Sequence, residues 1–210
     1  MKMIILGPPG SGKGTQADVL KKHLQIPSIS TGDILRDAIQ RETPVGLRAK
    51  EYMDAGGLVP DEVIIGILID RISKQDCKDG YILDGAPRTL VQAEALDEQG
   101  IKLDVVLSFE ISDDDIIERL GGRRVCPKCG ATYHIASKPP EKDGICDNCG
   151  TALTIRSDDE KETIRNRLEA YHKETEPLKG FYKAQGILKA VQSVPGVDET
   201  TALVFETLGI

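Results

Sequence analysis

The chain has no tryptophan, and its three phenylalanines and five tyrosines bring aromatics to only 4% of 210 residues. A core made from it must be aliphatic, and there are too few rings for a base-stacking platform of the kind that holds single-stranded nucleic acid. Excess positive charge is missing too. Against 27 Lys and Arg stand 34 Asp and Glu, a net charge of −7, which excludes a general nucleic-acid coat. No apolar run approaches the ~20 residues of a membrane span. The first such run, Met3 to Leu6, ends at Gly7, so neither a membrane partner nor a signal peptide is expected. Histidines number only three, and none sits in a pattern that marks a general base. What remains is one ordinary domain, or one core with small insertions, long enough to bury a sizeable interior. Five cysteines without a secretory pattern point to the reducing cytoplasm and to metal binding, not disulfides.

The most specific local pattern follows that first apolar run. Gly7, Gly10, Ser11, Gly12, Lys13, Gly14 and Thr15 satisfy the phosphate-loop spacing G-x-x-x-x-G-K. Glycines let backbone N–H groups turn inward around an anion, and the helix expected from Thr15 aims its positive end at the same point. Lys13 then neutralises β- and γ-phosphate charge. Gly14 occupies the position where the generic loop has a metal-ligating hydroxyl, and the hydroxyl comes one residue later at Thr15. Mg²⁺ is therefore expected to be held mostly by waters and phosphates.

Strand and helix signals alternate along the chain. Strands are expected at 2–6, 26–29, 81–84, 105–109 and within 187–194. Helical patterns cover 15–24, the stretch opened by Ser30-Thr31-Gly32-Asp33, the stretch from Pro44 to the Gly56-Gly57 stop, and the one opened by Pro60. Others cover 89–99, 113–120, 160–172, 178–184 and 198–208. Alternation of this kind predicts an α/β fold with a parallel sheet and ligands at the carboxyl ends of its strands. Residues 122–156 break the pattern, being rich in Gly, Pro, Cys and basic residues. From Arg119 to Arg156 there are seven Lys/Arg and three acids, a local +4 that leaves −11 elsewhere. A basic flap on an acidic body suits closure over phosphates.

Inside that flap, Cys126-x2-Cys129 and Cys146-x2-Cys149 form two Cys-x-x-Cys-Gly knuckles. Two such turns offer the tetrahedral four-thiolate set preferred by Zn²⁺, with no open position, so the site is expected to be structural. It would staple a segment with too few apolar residues to fold alone. His134, between the knuckles, is expected at the surface or facing a nucleotide, and Cys77 as an unpaired thiol.

Asp84 ends an apolar strand and is placed to organise Mg²⁺ beside the phosphate loop. Arg88 follows at the same edge, Arg36 lies one turn into its helix, and Arg123, Arg156 and Arg167 flank the flap. Phosphoryl transfer needs positioning and charge neutralisation more than covalent help. Many cations and no evident His base suit an acceptor that is itself a phosphate.

In this order the motifs GPPGSGKGTQ (7–16), STGDILR (30–36), LDGAPRT (83–89), GRR (122–124), TYH (132–134) and RSDD (156–159), with Arg165 and Arg167, resemble the adenylate kinase family in its long form with a zinc-bearing lid. The resemblance spans essentially the whole chain. It implies Mg·ATP + AMP ⇌ 2 ADP on a P-loop three-layer fold with a central five-stranded parallel sheet. It also implies a core of 1–29, 60–121 and 160–210, a helical AMP-binding insertion at 30–59 and a small zinc-ribbon-like lid at 122–159. Lys13 and the loop amides would hold ATP phosphates, with Arg119 against the adenine and Arg123 also covering ATP. Thr132 and Tyr133 would line the lid side and Val197 would supply backbone to the adenine pocket. Thr31, Arg36, Gly57, Leu58, Val59, Gly85, Ala86, Pro87, Arg88 and Gln92 would bind AMP, Arg156 and Arg167 would bridge the phosphates being exchanged, and Asp84 would act on Mg²⁺ through water. Ala86 departs from the family's usual aromatic, which predicts weaker or less selective AMP binding. A monomer is expected.

Three other readings are open on sequence, one of them a nucleotide-binding module without activity, against which the presence of Lys13, Asp84 and the arginines weighs. Another is a monophosphate kinase for another base, against which the long lid and Thr31 weigh. The third is a nucleic-acid-binding zinc ribbon on a P-loop ATPase, against which the −7 charge weighs.

Overall fold

The computed structural model describes residues 1–210. Strands β1 (Lys2–Leu6), β2 (Ser28–Ser30), β3 (Tyr81–Asp84), β4 (Val105–Glu110) and β7 (Leu188–Gln192) form one parallel sheet in the order β2-β3-β1-β4-β7. This is the parallel five-stranded sheet expected from the alternation. β1 lies at its centre, with Ile4 opposite both Leu83 and Val106. Its side chains alternate between two cores because both faces are covered. Ile4 and Leu6 pack on one face with residues of α2 (Thr31–Gln40), α3 (Pro44–Asp54), α4 (Asp61–Ile72), α5 (Leu90–Glu98) and α8 (Leu178–Ala184). Met3 and Ile5 pack on the other with α1 (Lys13–Leu24) and α9 (Val197–Leu208). The result is three layers. No helix is long and apolar enough to cross a membrane.

The local sequence explains where the site-bearing helices begin. Ser30 caps α2 by accepting from the Asp33 N–H at 3.2 Å, and Thr89 caps α5 by accepting from Gln92 N–H at 3.2 Å. Ser30 is itself the last residue of β2 and Thr89 follows β3 by five residues, so both helices start near the sheet's carboxyl edge, as do Arg36 and Arg88. A second helix pair, α6 (Asp113–Gly122) and α7 (Lys161–Ala170), packs through Ile116, Leu120, Ile164 and Leu168. This pair carries the cysteine segment, whose only regular structure is the antiparallel pair β5 (Arg123–Val125) and β6 (Thr132–His134), extended by bridges Val125–Thr154 and Ile145–Ala152.

Several boundaries differ from expectation. The helix after the phosphate loop starts at Lys13 instead of Thr15, and β2 occupies 28–30 instead of 26–29. The helix expected at 160–172 leaves α geometry at Ala170 and continues as a π-helical turn, Tyr171–Thr175. Helix α6 runs on through both Gly121 and Gly122, past the expected end at 120. A Cβ on Gly122 would lie 2.2 Å from the His134 Nε2, so the ring packs where only glycine leaves room.

Candidate active site

The carboxyl ends of β1, β2, β3 and β7 open onto one cleft of ≈ 750 Å³. The phosphate loop forms its floor. Gly10 has φ +81°, and a Cβ there would come within 2.9 Å of Leu120, so both conformation and the close approach of α6 demand glycine. Lys13 curls back over the loop, its Nζ donating to the Pro8 carbonyl at 2.6 Å and to Ser11 Oγ at 3.3 Å. Burial lowers the Lys13 pKa to about 7, opposed by the pull of Asp84 in the other direction. Burial likewise raises the Asp84 carboxyl above its ordinary value, partly offset by Lys13 and Arg88. Both shifts describe charges gathered in a poorly solvated place, which a triphosphate and a divalent cation would complete. Gly14 belongs to that arrangement, since a Cβ on it would lie 3.6 Å from the Asp84 carboxylate.

Five arginines converge on the opposite wall and roof. Arg88 is held by its Nε, which donates to the Gly85 carbonyl at 2.8 Å, and by its N–H, which donates to Gln92 Oε1 at 2.7 Å. The Gln92 amide is turned by Asp61, which accepts from its Nε2 at 2.7 Å. Arg123 pairs with Asp159, and Arg167 pairs with Asp159 at 3.1 Å and with Asp158 at 3.2 Å. Arg36 pairs with Asp33 at 2.6 Å and approaches Asp158 at 3.9 Å, while Arg156 approaches Asp33 at 4.0 Å. The cations crowd one another. Burial, reinforced by Arg167, lowers Arg88 to about 10, and burial with Arg36 lowers Arg156 to about 10. Three carboxylates thus hold guanidiniums that would otherwise repel, and they occupy directions that phosphate oxygens could take. Asp33, Asp158 and Asp159 had no role in the sequence reading. The signal was present in the acidic pair of RSDD, next to a basic segment.

Of the expected nucleotide-side residues, Gly10, Gly12, Lys13, Gly14, Thr15, Arg119, Arg123, Thr132, Tyr133 and Val197 line the cleft. So do Thr31, Arg36, Gly57, Leu58, Val59, Asp84, Gly85, Pro87, Arg88, Gln92, Arg156 and Arg167. Two do not. Ser11 is fully buried beneath the loop, and Ala86 packs into the core beside Leu83 and Ala93. Tyr133 lines the cleft, but its ring joins the small core of the cysteine segment. Its hydroxyl lies 3.5 Å from Cys146 Sγ and accepts from the Asp147 N–H at 2.9 Å. His134 is not free to act as a base. Its Nδ1 accepts from the Ala136 and Ser137 amides at 3.1 Å each, and its Nε2 is buried.

A family model for adenylate kinase matches residues 5–187. The chain belongs to the adenylate kinase family. It is 53% identical to the adenylate kinase of Caldicellulosiruptor bescii over the whole of both chains. It is 51% identical to that of Carboxydothermus hydrogenoformans over 99% of each, and 52% identical to that of Pelobacter propionicus over 95% of this chain and 92% of the other. Membership makes it a phosphotransferase, in keeping with a cleft in which many cations converge.

The four cysteines of the adenylate kinase lid come together as their spacing predicted. All four Sγ atoms lie within 4.8 Å of one another, with Cys126–Cys149 at 3.4 Å and Cys129–Cys146 at 3.5 Å. These separations are far beyond a disulfide bond of ~2.05 Å and near the ~3.8 Å edge of a tetrahedron with 2.3 Å Zn–S arms. The two knuckles repeat one backbone pattern: Gly130 N–H donates to the Cys126 carbonyl at 3.0 Å, and Gly150 N–H to the Cys146 carbonyl at 2.8 Å. The donor set fits Zn²⁺.

Proposed function

We propose that the cleft transfers the γ-phosphoryl group of ATP to AMP, reversibly, giving two ADP, and that its two ends divide the nucleotides. ATP takes the side built from the phosphate loop, Arg119, Arg123, the lid residues Thr132 and Tyr133, and the Val197 backbone. AMP takes the side built from Thr31, Arg36, Gly57 to Val59, Gly85 to Arg88 and Gln92. The convergence of Lys13 with five arginines on one cleft carries this reading, because two phosphate chains meeting end to end need that much positive charge.

The acceptor is a phosphate, already anionic at neutral pH, so no general base is required. Lys13 and the loop amides orient the donor. Arg88, Arg156 and Arg167 orient the acceptor and neutralise the charge spread over the transferring group. Asp33, Asp158 and Asp159 release their guanidiniums as phosphates replace them. Adenylate kinases use ATP with Mg²⁺, which would supply further charge neutralisation, and Asp84 would hold the ion through water. Residues 30–59 and 122–159 close over the nucleotides, so that the γ-phosphoryl group meets AMP and not water. Cys126, Cys129, Cys146 and Cys149 would hold Zn²⁺, which would tie the lid segment together. A monomer in the cytoplasm is part of the same proposal, and cysteines spaced for a metal instead of for disulfides suit a reducing compartment.

Initial rates with both nucleotides varied test direct transfer. Intersecting reciprocal plots mean that both substrates are bound together. Parallel plots would mean a phosphorylated protein intermediate and would contradict the proposal.

A further inference from the structure

Ser193, the first residue past β7, is 7% exposed, and its N–H donates to the Glu110 carbonyl at 2.9 Å. Its place is therefore set by the end of the sheet. Its hydroxyl makes two bonds at once, donating to the Ser11 carbonyl of the phosphate loop at 2.8 Å and accepting from Arg119 Nη1 at 2.8 Å. The segment behind it is anchored by Thr200, whose Oγ1 accepts from the Val194 N–H at 3.2 Å and donates to the Gly196 carbonyl at 2.9 Å.

A buried hydroxyl needs one partner to be satisfied. This one joins segments 74 and 182 residues away along the chain, and all of them border the ATP end of the cleft. The bond to Ser193 is the one side-chain hydrogen bond that the Arg119 guanidinium makes. Its charged neighbours Asp115 and Glu118 act only at longer range. Arg119 stands in the last turn of α6, next to the lid. Without that bond, the long side chain would be free to sample many rotamers over the loop.

We propose that Ser193 is a positioning residue for the ATP end: its hydroxyl fastens Arg119 to the phosphate loop, so that the guanidinium is already in place when ATP arrives. The inference rests on the reading of Arg119 as an ATP-covering residue.

The test measures initial rates for each nucleotide with the other saturating. Ser193→Ala is expected to raise the KM for ATP about three- to tenfold while the KM for AMP stays at the wild-type value. Ser193→Cys, which keeps the volume and weakens both bonds, is expected to move the ATP KM in the same direction, and it serves if the alanine variant folds poorly. In an Arg119→Ala background, Ser193→Ala should add nothing further. An unchanged ATP KM in both Ser193 variants would overturn the inference, as would an equal rise for both nucleotides or an undiminished effect without Arg119. Each of those results would leave the site reading standing. An Arg119→Ala variant with a wild-type ATP KM would instead overturn the role of Arg119, and the inference with it.

Discussion

ATP binding should take up a proton, and Lys13 sets how much. In the free protein burial lowers its pKa to about 7. A triphosphate beside it favours the charged form, so the bound pKa rises well above that value. At pH 8 a group with a pKa near 7 is about nine-tenths neutral, and binding must restore about 0.9 proton. The sign follows directly. Affinity is fullest below the free-state pKa and is lost as pH rises through and beyond it. The dissociation constant scales as one plus the neutral-to-charged ratio, which grows from about 11-fold at pH 8 to about 101-fold at pH 9. ATP affinity should therefore weaken about ninefold across that unit, where the γ-phosphate (second pKa about 6) is already ionised. Arg88 and Arg156, lowered only to about 10, stay largely charged over the same range. Calorimetry at pH 8 in two buffers of different ionisation enthalpy reads the proton uptake directly. Lys13→Arg, which cannot lose its charge, should abolish the uptake. Binding without proton uptake, or with the same affinity at pH 8 and 9, would refute the assignment of a neutral Lys13 in the free protein.

Other consequences are open to measurement. Cys146→Ser removes a ligand from the four-thiolate set and should lower the melting temperature and zinc stoichiometry together; an unchanged melt would contradict a structural metal. Asp159→Ala leaves the Arg123 guanidinium without its carboxylate partner and Arg167 with Asp158 alone. It should destabilise the free protein by about 3–5 kcal/mol, with part of the loss recovered when ATP and AMP are added, as read by denaturant titration in both conditions. Gly10→Ala forces a left-handed φ and a 2.9 Å approach to Leu120, and should weaken ATP binding at least tenfold in the same calorimeter. Ala86→Phe places a ring in the packed core beside Leu83 and should cost about 1–3 kcal/mol of stability; a tighter AMP KM without that cost would show that the family's aromatic is accommodated toward the cleft.

The parts of this molecule that were legible in the sequence are those in which few neighbours decide the outcome. The run Met3 to Leu6 is buried on both faces whichever helices cover it, and the glycines after it can make only a few kinds of turn. The paired Cys-x-x-Cys-Gly knuckles carry their own backbone hydrogen bonds, so the shape of each turn was readable from its own residues. What escaped was decided at a distance. Nothing local says that Gly122, at the end of α6, must admit the His134 ring. Tyr133 turns its hydroxyl to Cys146 because the lid has almost no other core. The π-helical turn at Tyr171–Thr175 places the Thr175 hydroxyl to donate to the Arg88 carbonyl at 2.9 Å, a contact spanning 87 residues with no periodic signal. The counter-ions Asp158 and Asp159 were visible as letters but not as partners, since an acidic pair reads equally well as a solvated surface.

The cleft's proposed work is to move a phosphoryl group from ATP onto AMP. Phosphorus NMR of the purified protein with Mg·ATP and each of AMP, GMP, CMP and UMP tests it most directly. The expected result is rapid appearance of ADP resonances with AMP and little transfer to the other three. Comparable transfer to several acceptors would contradict the AMP assignment of the Thr31, Arg88 and Gln92 side, and ATP binding with no transfer to any of them would contradict the proposed reaction itself.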